Sequence, residues 1–188
     1  MRWRWKRCAP VLEMTPMSET VTLDQLNKGA DAAFIGCLGD VFENSPWLVE
    51  RATAKRPFAT RAALLATLTE IMMAAAEDEK LALIRAHPDL AGKAARAGDL
   101  TDHSTREQAS AGLDSLTAAE FDRFNRLNIA YREAFGFPFI IAVLDNTKET
   151  IFASFETRLK SSRVAEIEEA IRNIRRIVSL RVISMVKE

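Results

Sequence analysis

The sequence predicts an all-α fold, a single compact domain of about seven or eight helices. Three observations carry this. Glycine and proline are scarce, at 7 and 6 of 188 residues, while alanine, leucine and glutamate are common. Apolar residues recur at three- and four-residue steps. Segments open on Ser or Thr and stop at glycine or before proline. The length suits one domain.

From Thr22 the chain reads as a series of short helices. "TLDQLNKGADAAFIGCLGDVF" places Leu23, Leu26, Ala33, Phe34 and Leu38 at helical spacing. "SPWLVERATAKRPF" offers Ser45 as N-cap and Pro46 at the first helical position. "TRAALLATLTEIMMAAA" starts at Thr60 and sets Leu64, Leu65, Leu68, Ile71 and Met72 on one side. "EDEKLALIRAH" runs up to Pro88. A residue before proline is pushed out of the helical region, so His87 falls at or just past a helix end. A Gly-containing connection, "PDLAGKAARAGDL", follows. Thr101 then caps "TDHSTREQASAGL", which ends at Gly112.

Thr117 and Glu120 form a capping box ahead of "TAAEFDRFNRLNIAYREAFG". Phe121, Phe124, Leu127, Tyr131 and Phe135 trace its apolar stripe, and Gly136 stops it. The last segment carries the strongest amphipathic pattern, with Val164, Ile167, Ile171, Ile174 and Val178 on one face. One stretch breaks the period. "FGFPFIIAVLDN" is a solid apolar run, and Phe139 to Val143 has strand propensity. No other segment offers a convincing strand partner. Its backbone groups therefore need side chains, water or a polar ligand.

Composition narrows the function classes. There are 26 basic and 26 acidic residues, so the net charge is zero and neither a nucleic-acid nor a membrane surface is expected. No apolar run approaches the length of a membrane span. The two cysteines, Cys8 and Cys37, make no disulfide framework and favour a reducing, cytoplasmic setting. The opening "MRWRWKRCAPVLEMTP" is basic and aromatic and lacks the apolar core of a secretion signal. Residues 1–16 read as a poorly ordered or non-native extension, with an organellar address the less favoured alternative. Residues 17–188 read as the helical domain.

The chemistry-bearing candidates are few. His87 ends a helix beside a proline-fixed turn, where terminal carbonyls favour a protonated imidazole. This makes it either a general acid or base or a capping residue. A helix starting at Thr101 puts Ser104, Glu107 and Gln108 on one face. Their donors and acceptors suit a polar heterocycle rich in N–H and C=O groups. Ser104 and Glu107 are equally a capping-box pattern. His103 and Glu107, four apart, form with His87 and Asp89 a weak candidate metal set. His103 reads more simply as a solvated helix-start residue. Neither a nucleophile–base–acid triad nor a phosphate-binding glycine loop is evident.

Three pieces in this order, "HPDLAGK" at 87–93, "STREQASAGL" at 104–113 and "LNIAYREAFGFPFIIAV" at 127–143, resemble the OHCU decarboxylases. These are the 2-oxo-4-hydroxy-4-carboxy-5-ureidoimidazoline decarboxylases of urate breakdown. The resemblance covers about residues 22–185. It implies an all-α homodimer with neither metal nor organic cofactor. It also implies that the substrate is a ureido-imidazoline, OHCU, which loses CO2 to give (S)-allantoin. Position by position, His87 matches the catalytic histidine and Glu107 the acid of the pocket. Pro88, the span Ser104, Thr105, Arg106, Glu107 and Gln108, and the span Phe139, Ile140, Ile141, Ala142 and Val143 match the substrate-binding segments. Many relatives carry a basic residue directly after the last span, where this chain has Leu144. The competing readings are an idle ligand-binding or regulatory domain of the same fold, a metal-dependent hydrolase using His87, His103 and Glu107, and a structural helical bundle.

Overall fold

Helix-start chemistry sets the order of elements. In this computed structural model, which describes residues 20–92 and 100–188, Thr22, Thr60, Thr101, Thr117, Thr147 and Ser162 each accept a backbone N–H three residues on. The expected N-terminal extension over 1–16 lies outside the described residues, as do Lys93 and the rest of the connection through residue 99.

Among the described residues there are nine α-helices: α1 (Leu23–Lys28), α2 (Asp31–Leu38), α3 (Trp47–Thr53), α4 (Arg61–Ala74), α5 (Glu77–Arg85), α6 (Asp102–Ser110), α7 (Ala118–Phe135), α8 (Lys148–Arg158) and α9 (Arg163–Met185). The expectation was seven or eight. The first expected helix is two, because Gly29 is extended and its N–H closes α1 onto the Gln25 carbonyl. A Cβ at Gly29 would sit 2.9 Å from that carbonyl oxygen, so glycine suits this break. The other additional helix, α8, has one buried face that mixes apolar residues with a charge. It buries Ile151, Phe152 and Phe155 together with Arg158. Ser45 does not cap α3. Pro46 takes that position with helical angles, and Ser45 is buried instead.

Among the described residues, strands are confined to Val21–Thr22 (β1) and Val186–Lys187 (β2), a parallel pair with Val21 opposite Val186. This pair ties the start of α1 to the end of α9. Helix α9 is the central element, packing on α4, α5 and α7 through Ile171, Ile174, Ile177, Val178 and Val182. Two residues expected on apolar faces, Val164 and Ala33, are exposed. Val164 lies in the first turn of α9, outside its buried stripe.

Gly136 ends α7 at φ 79°, a left-handed conformation that costs glycine little. The chain then runs through Phe137 and Phe139 into the core. Phe139 stacks on Phe155 at 3.7 Å and meets Tyr131 edge-on at 5.2 Å. Phe139 to Ala142 forms no strand. Its backbone is held by side chains: Arg158 Nη1 donates to the Ile140 carbonyl at 2.7 Å. The Ala142 N–H donates to Asn173 Oδ1 at 3.0 Å, and Asn146 Nδ2 donates to the Ala142 carbonyl at 2.9 Å.

Candidate active site

Helix α5 ends at Arg85, and the chain turns at His87 and Pro88. The imidazole is buried, and its Nδ1 lies 2.9 Å from the Leu83 carbonyl one turn back. A carbonyl only accepts, so Nδ1 carries the hydrogen and Nε2 keeps its lone pair. Burial lowers the His87 pKa to about 4. The Leu83 bond and the Glu43 carboxylate pull it upward, and Arg181 opposes them. The helix end favours the imidazolium, but it is not the dominant influence on His87. Loss of hydration outweighs the partial charge of the terminal carbonyls.

This has a consequence for stability. In the unfolded chain a histidine takes its proton near pH 6.5, and folded His87 only near 4. Between those values the unfolded state binds the extra proton, so stability falls as pH drops through the window. The melting temperature measured from pH 7 to pH 4 is expected to fall less steeply in His87→Asn than in the wild type. Equal slopes would contradict a neutral buried imidazole.

Helix α6 faces His87. Thr101 caps it, accepting from the Ser104 N–H at 3.3 Å, which frees the Ser104 and Glu107 side chains from capping each other. Ser104, Glu107 and Gln108 then lie on one face, as their spacing predicts, and line a small cavity with His87 and Pro88. Phe139, Ile140, Ile141 and Val143 supply the opposite wall. The cavity measures about 30 Å³, about the space of one water in liquid. Three residues of the expected spans stand outside its lining. Thr105 donates its hydroxyl to the Thr101 carbonyl, Arg106 Nε donates to the Asp102 carbonyl, and Ala142 is held by the asparagines described above.

Two charged residues of the site were not found by sequence reasoning. Arg181 from α9 reaches the same cavity. Its Nε and Nη2 grip both oxygens of Glu107 at 2.7 and 2.8 Å, and Nη1 contacts Glu43 at 3.0 Å. Glu43 is buried just after the Gly39–Val41 turn and also accepts from Ser104 Oγ at 2.8 Å and Thr101 Oγ1 at 2.9 Å. Burial raises the Glu43 pKa, but Arg181 and the two hydroxyls outweigh it and hold the carboxyl below its ordinary value. A signal for Arg181 existed. It follows Ile174 and Val178 by seven and three residues, a charge in register with an apolar stripe. Glu43 belongs to no periodic element and carried no comparable signal.

The candidate metal set does not come together. Asp89 pairs with Arg132 at 2.8 Å and Glu107 with Arg181. Among the described residues no group of three His, Cys, Asp or Glu side chains is placed to hold an ion. His103 lines a different feature, an outer groove of about 800 Å³ that also touches Arg106, Glu107, Arg181 and Leu144. Leu144 is 49% exposed on that groove and is absent from the inner cavity wall.

Comparison with known proteins identifies relatives of this arrangement. The OHCU decarboxylase family model matches residues 27–183. The chain is 40% identical over 161 residues to the 2-oxo-4-hydroxy-4-carboxy-5-ureidoimidazoline decarboxylase of Haloferax volcanii, covering 86% of this chain and 94% of that one. Among solved structures it is similar to an (S)-allantoin synthase, with TM-score 0.70 and 31% identity over 88% of this chain. It spans about half (54%) of that synthase chain. A second structure, an OHCU decarboxylase in the presence of (S)-allantoin, shares the fold at TM-score 0.62 and 20% identity, covering 82% of this chain and 96% of that one.

Proposed function

Since this chain belongs to the OHCU decarboxylase family, we propose that it removes CO2 from 2-oxo-4-hydroxy-4-carboxy-5-ureidoimidazoline and yields (S)-allantoin in urate breakdown. The observation that carries the reading is His87. It is a buried, neutral imidazole with Nδ1 committed to Leu83 and Nε2 free, placed at a cavity opposite the Ser104–Gln108 face.

The substrate carries a carboxylate and a hydroxyl on one ring carbon, next to a C=N carbon. When the C–CO2 bond breaks, its electron pair forms a C=C bond and the C=N pair moves onto the ring nitrogen, which takes a solvent proton. The substrate is its own electron sink. What remains is an enol. His87 Nε2 takes the hydroxyl proton, the carbonyl forms, and the imidazolium returns that proton to the former C=N carbon from one side. Delivery from one side makes the product a single enantiomer. Glu107 is the acceptor for ureido or ring N–H groups. Ser104, Gln108 and the backbone of Phe139 to Val143 hold the planar heterocycle.

The reading extends to a carboxy-lyase that acts as a cytoplasmic homodimer. The absence of a disulfide framework in the sequence supports the compartment, and no described helix is long and apolar enough to cross a membrane. Freshly prepared OHCU, followed by circular dichroism, tests the activity. Enzyme is expected to produce the optical signal of (S)-allantoin well above the spontaneous rate. Racemic product formed at the uncatalysed rate would remove the proposal and favour the idle-domain reading.

A further inference from the structure

Arg181 is the cation that lines the inner cavity, yet every one of its five N–H groups already has an acceptor. Nε donates to Glu107, Nη2 to Glu107 and Ser104, and Nη1 to Glu43 and the Asp40 carbonyl. A carboxylate ligand can reach this guanidinium only if one acceptor leaves. The two carboxylates are not equally free to do so. Glu43 has a side chain 1% exposed and is held by Thr101 and Ser104 besides Arg181. Glu107 is 13% exposed, and among the described residues its carboxylate accepts hydrogen bonds from Arg181 alone, with His103 a weaker electrostatic neighbour.

Space leads to the same residue. The inner cavity of about 30 Å³ is far below the roughly 300 Å³ at the low end of small-molecule pockets. The outer groove of about 800 Å³ is large enough. The groove and the cavity share two lining residues, Glu107 and Arg181. The ion pair is thus the partition between them.

We infer that Glu107 acts as an internal stand-in for the substrate carboxylate: the incoming carboxylate displaces it from the Nε/Nη2 edge of Arg181, while Glu43 keeps the guanidinium in place. The exchange replaces one two-pronged carboxylate pair by another, so Arg181 is never left buried without a counter-charge. It also merges cavity and groove at the moment of binding. Glu107, once displaced, is free to accept the ligand's N–H groups. Glu43 is a positioning residue here and touches no substrate. The site therefore selects ligands that combine a carboxylate with ureido N–H groups.

This deepens the decarboxylase reading and rests on it for the identity of the ligand, but its test does not need turnover. The probes are hydantoate, a stable ureido-carboxylate, and hydantoin, its uncharged cyclic counterpart. Binding to the full chain is measured by calorimetry. Glu107→Gln keeps the shape of the side chain and removes the competing charge. It is expected to bind hydantoate about tenfold more tightly than wild type, the gain expected when an acceptor edge free in a tenth or less of molecules is opened permanently. Hydantoin binding is expected to stay level or weaken. Glu43→Gln removes a charge from the same guanidinium but not from the exchanging edge, so no such gain is expected there.

A wild-type crystal structure with hydantoate provides a second, independent readout. Its carboxylate should lie on Nε and Nη2 of Arg181, with Glu107 turned toward the groove. Equal gains in both variants, parallel loss of both ligands in Glu107→Gln, no hydantoate binding to either protein, or Glu107 still on Arg181 in the complex each overturn the exchange. Allantoin formation by the wild type is scored separately, so loss of the decarboxylase reading and loss of the exchange are distinguishable.

Discussion

His87→Ala is expected to lower the turnover of OHCU by about 10²–10⁴-fold, the range typical of a positioned proton carrier. The size of the effect follows from what the imidazole does in the proposed sequence. It both collects the hydroxyl proton and returns it to carbon, and among the described residues lining the cavity it is the one imidazole. The fold should survive, because the lost contacts are one hydrogen bond to the Leu83 carbonyl and the packing of one ring. His87→Asn is the sharper variant, since it retains a donor for that carbonyl and isolates the loss of Nε2. Steady-state kinetics with circular dichroism of the product decides the matter. Turnover near wild type in either variant rules out His87 as the proton carrier. A residual reaction that yields racemic allantoin would show that stereochemical control has been lost with the imidazole.

Arg158→Met is expected to destabilise the fold by about 3–5 kcal/mol, because it strands a buried charge. Arg158 joins three groups under the wall of the cavity. Its Nε lies 2.9 Å from Glu166, Nη2 donates to the Tyr131 hydroxyl at 3.2 Å, and Nη1 holds the Ile140 carbonyl. The Tyr131 hydroxyl in turn donates to Glu166. Removing the guanidinium leaves Glu166, with a side chain 2% exposed, without a counter-ion. It also leaves the Ile140 carbonyl without its donor. Against a total stability of about 5–15 kcal/mol, a loss of this size is large.

The double variant Arg158→Met/Glu166→Leu removes the stranded charge and should recover most of the lost stability. It does not restore the bond to Ile140, so the substrate KM should stay raised even where stability returns. Urea denaturation monitored at neutral pH, with kinetics on the folded variants, separates the two effects. A single variant costing under 1 kcal/mol, or a double variant no better than the single, contradicts this account.

Much of the fold was legible because helix ends are set by neighbours three or four residues apart. Thr60, Thr101 and Thr117 cap where their side chains can reach the third backbone N–H on, and Gly136 stops α7 where a left-handed residue is needed. Short-range signals also pointed to most of the residues that line the cavity. The turn at His87–Pro88, the Ser104–Glu107–Gln108 face and the ladderless run from Phe139 all follow from local pattern, and all line one cavity. Where local reasoning failed, the cause was also local. Ser45 and Pro46 read as a standard helix start, but the chain buries Ser45 at the turn into α3. Helix α8 gives a weak apolar signal because its buried face carries Arg158 beside Ile151, Phe152 and Phe155.

Fold class, most helix boundaries and the chemistry-bearing groups at His87 and along Ser104–Gln108 are legible in the sequence, since these depend on propensity, capping and spacing within a few residues, whereas the place of Arg181 and Glu43 in the site is not. Only the tertiary structure decided their charge states and partners. Arg181 meets Glu107 across 74 residues of chain and Glu43 across 138, distances no sequence window spans. The helix end favours a protonated His87 imidazole but leaves its charge state open in the sequence, and burial in the assembled core lowers its pKa to about 4. Desolvation is a property of everything packed around a group, and here it outweighs the nearby helix terminus.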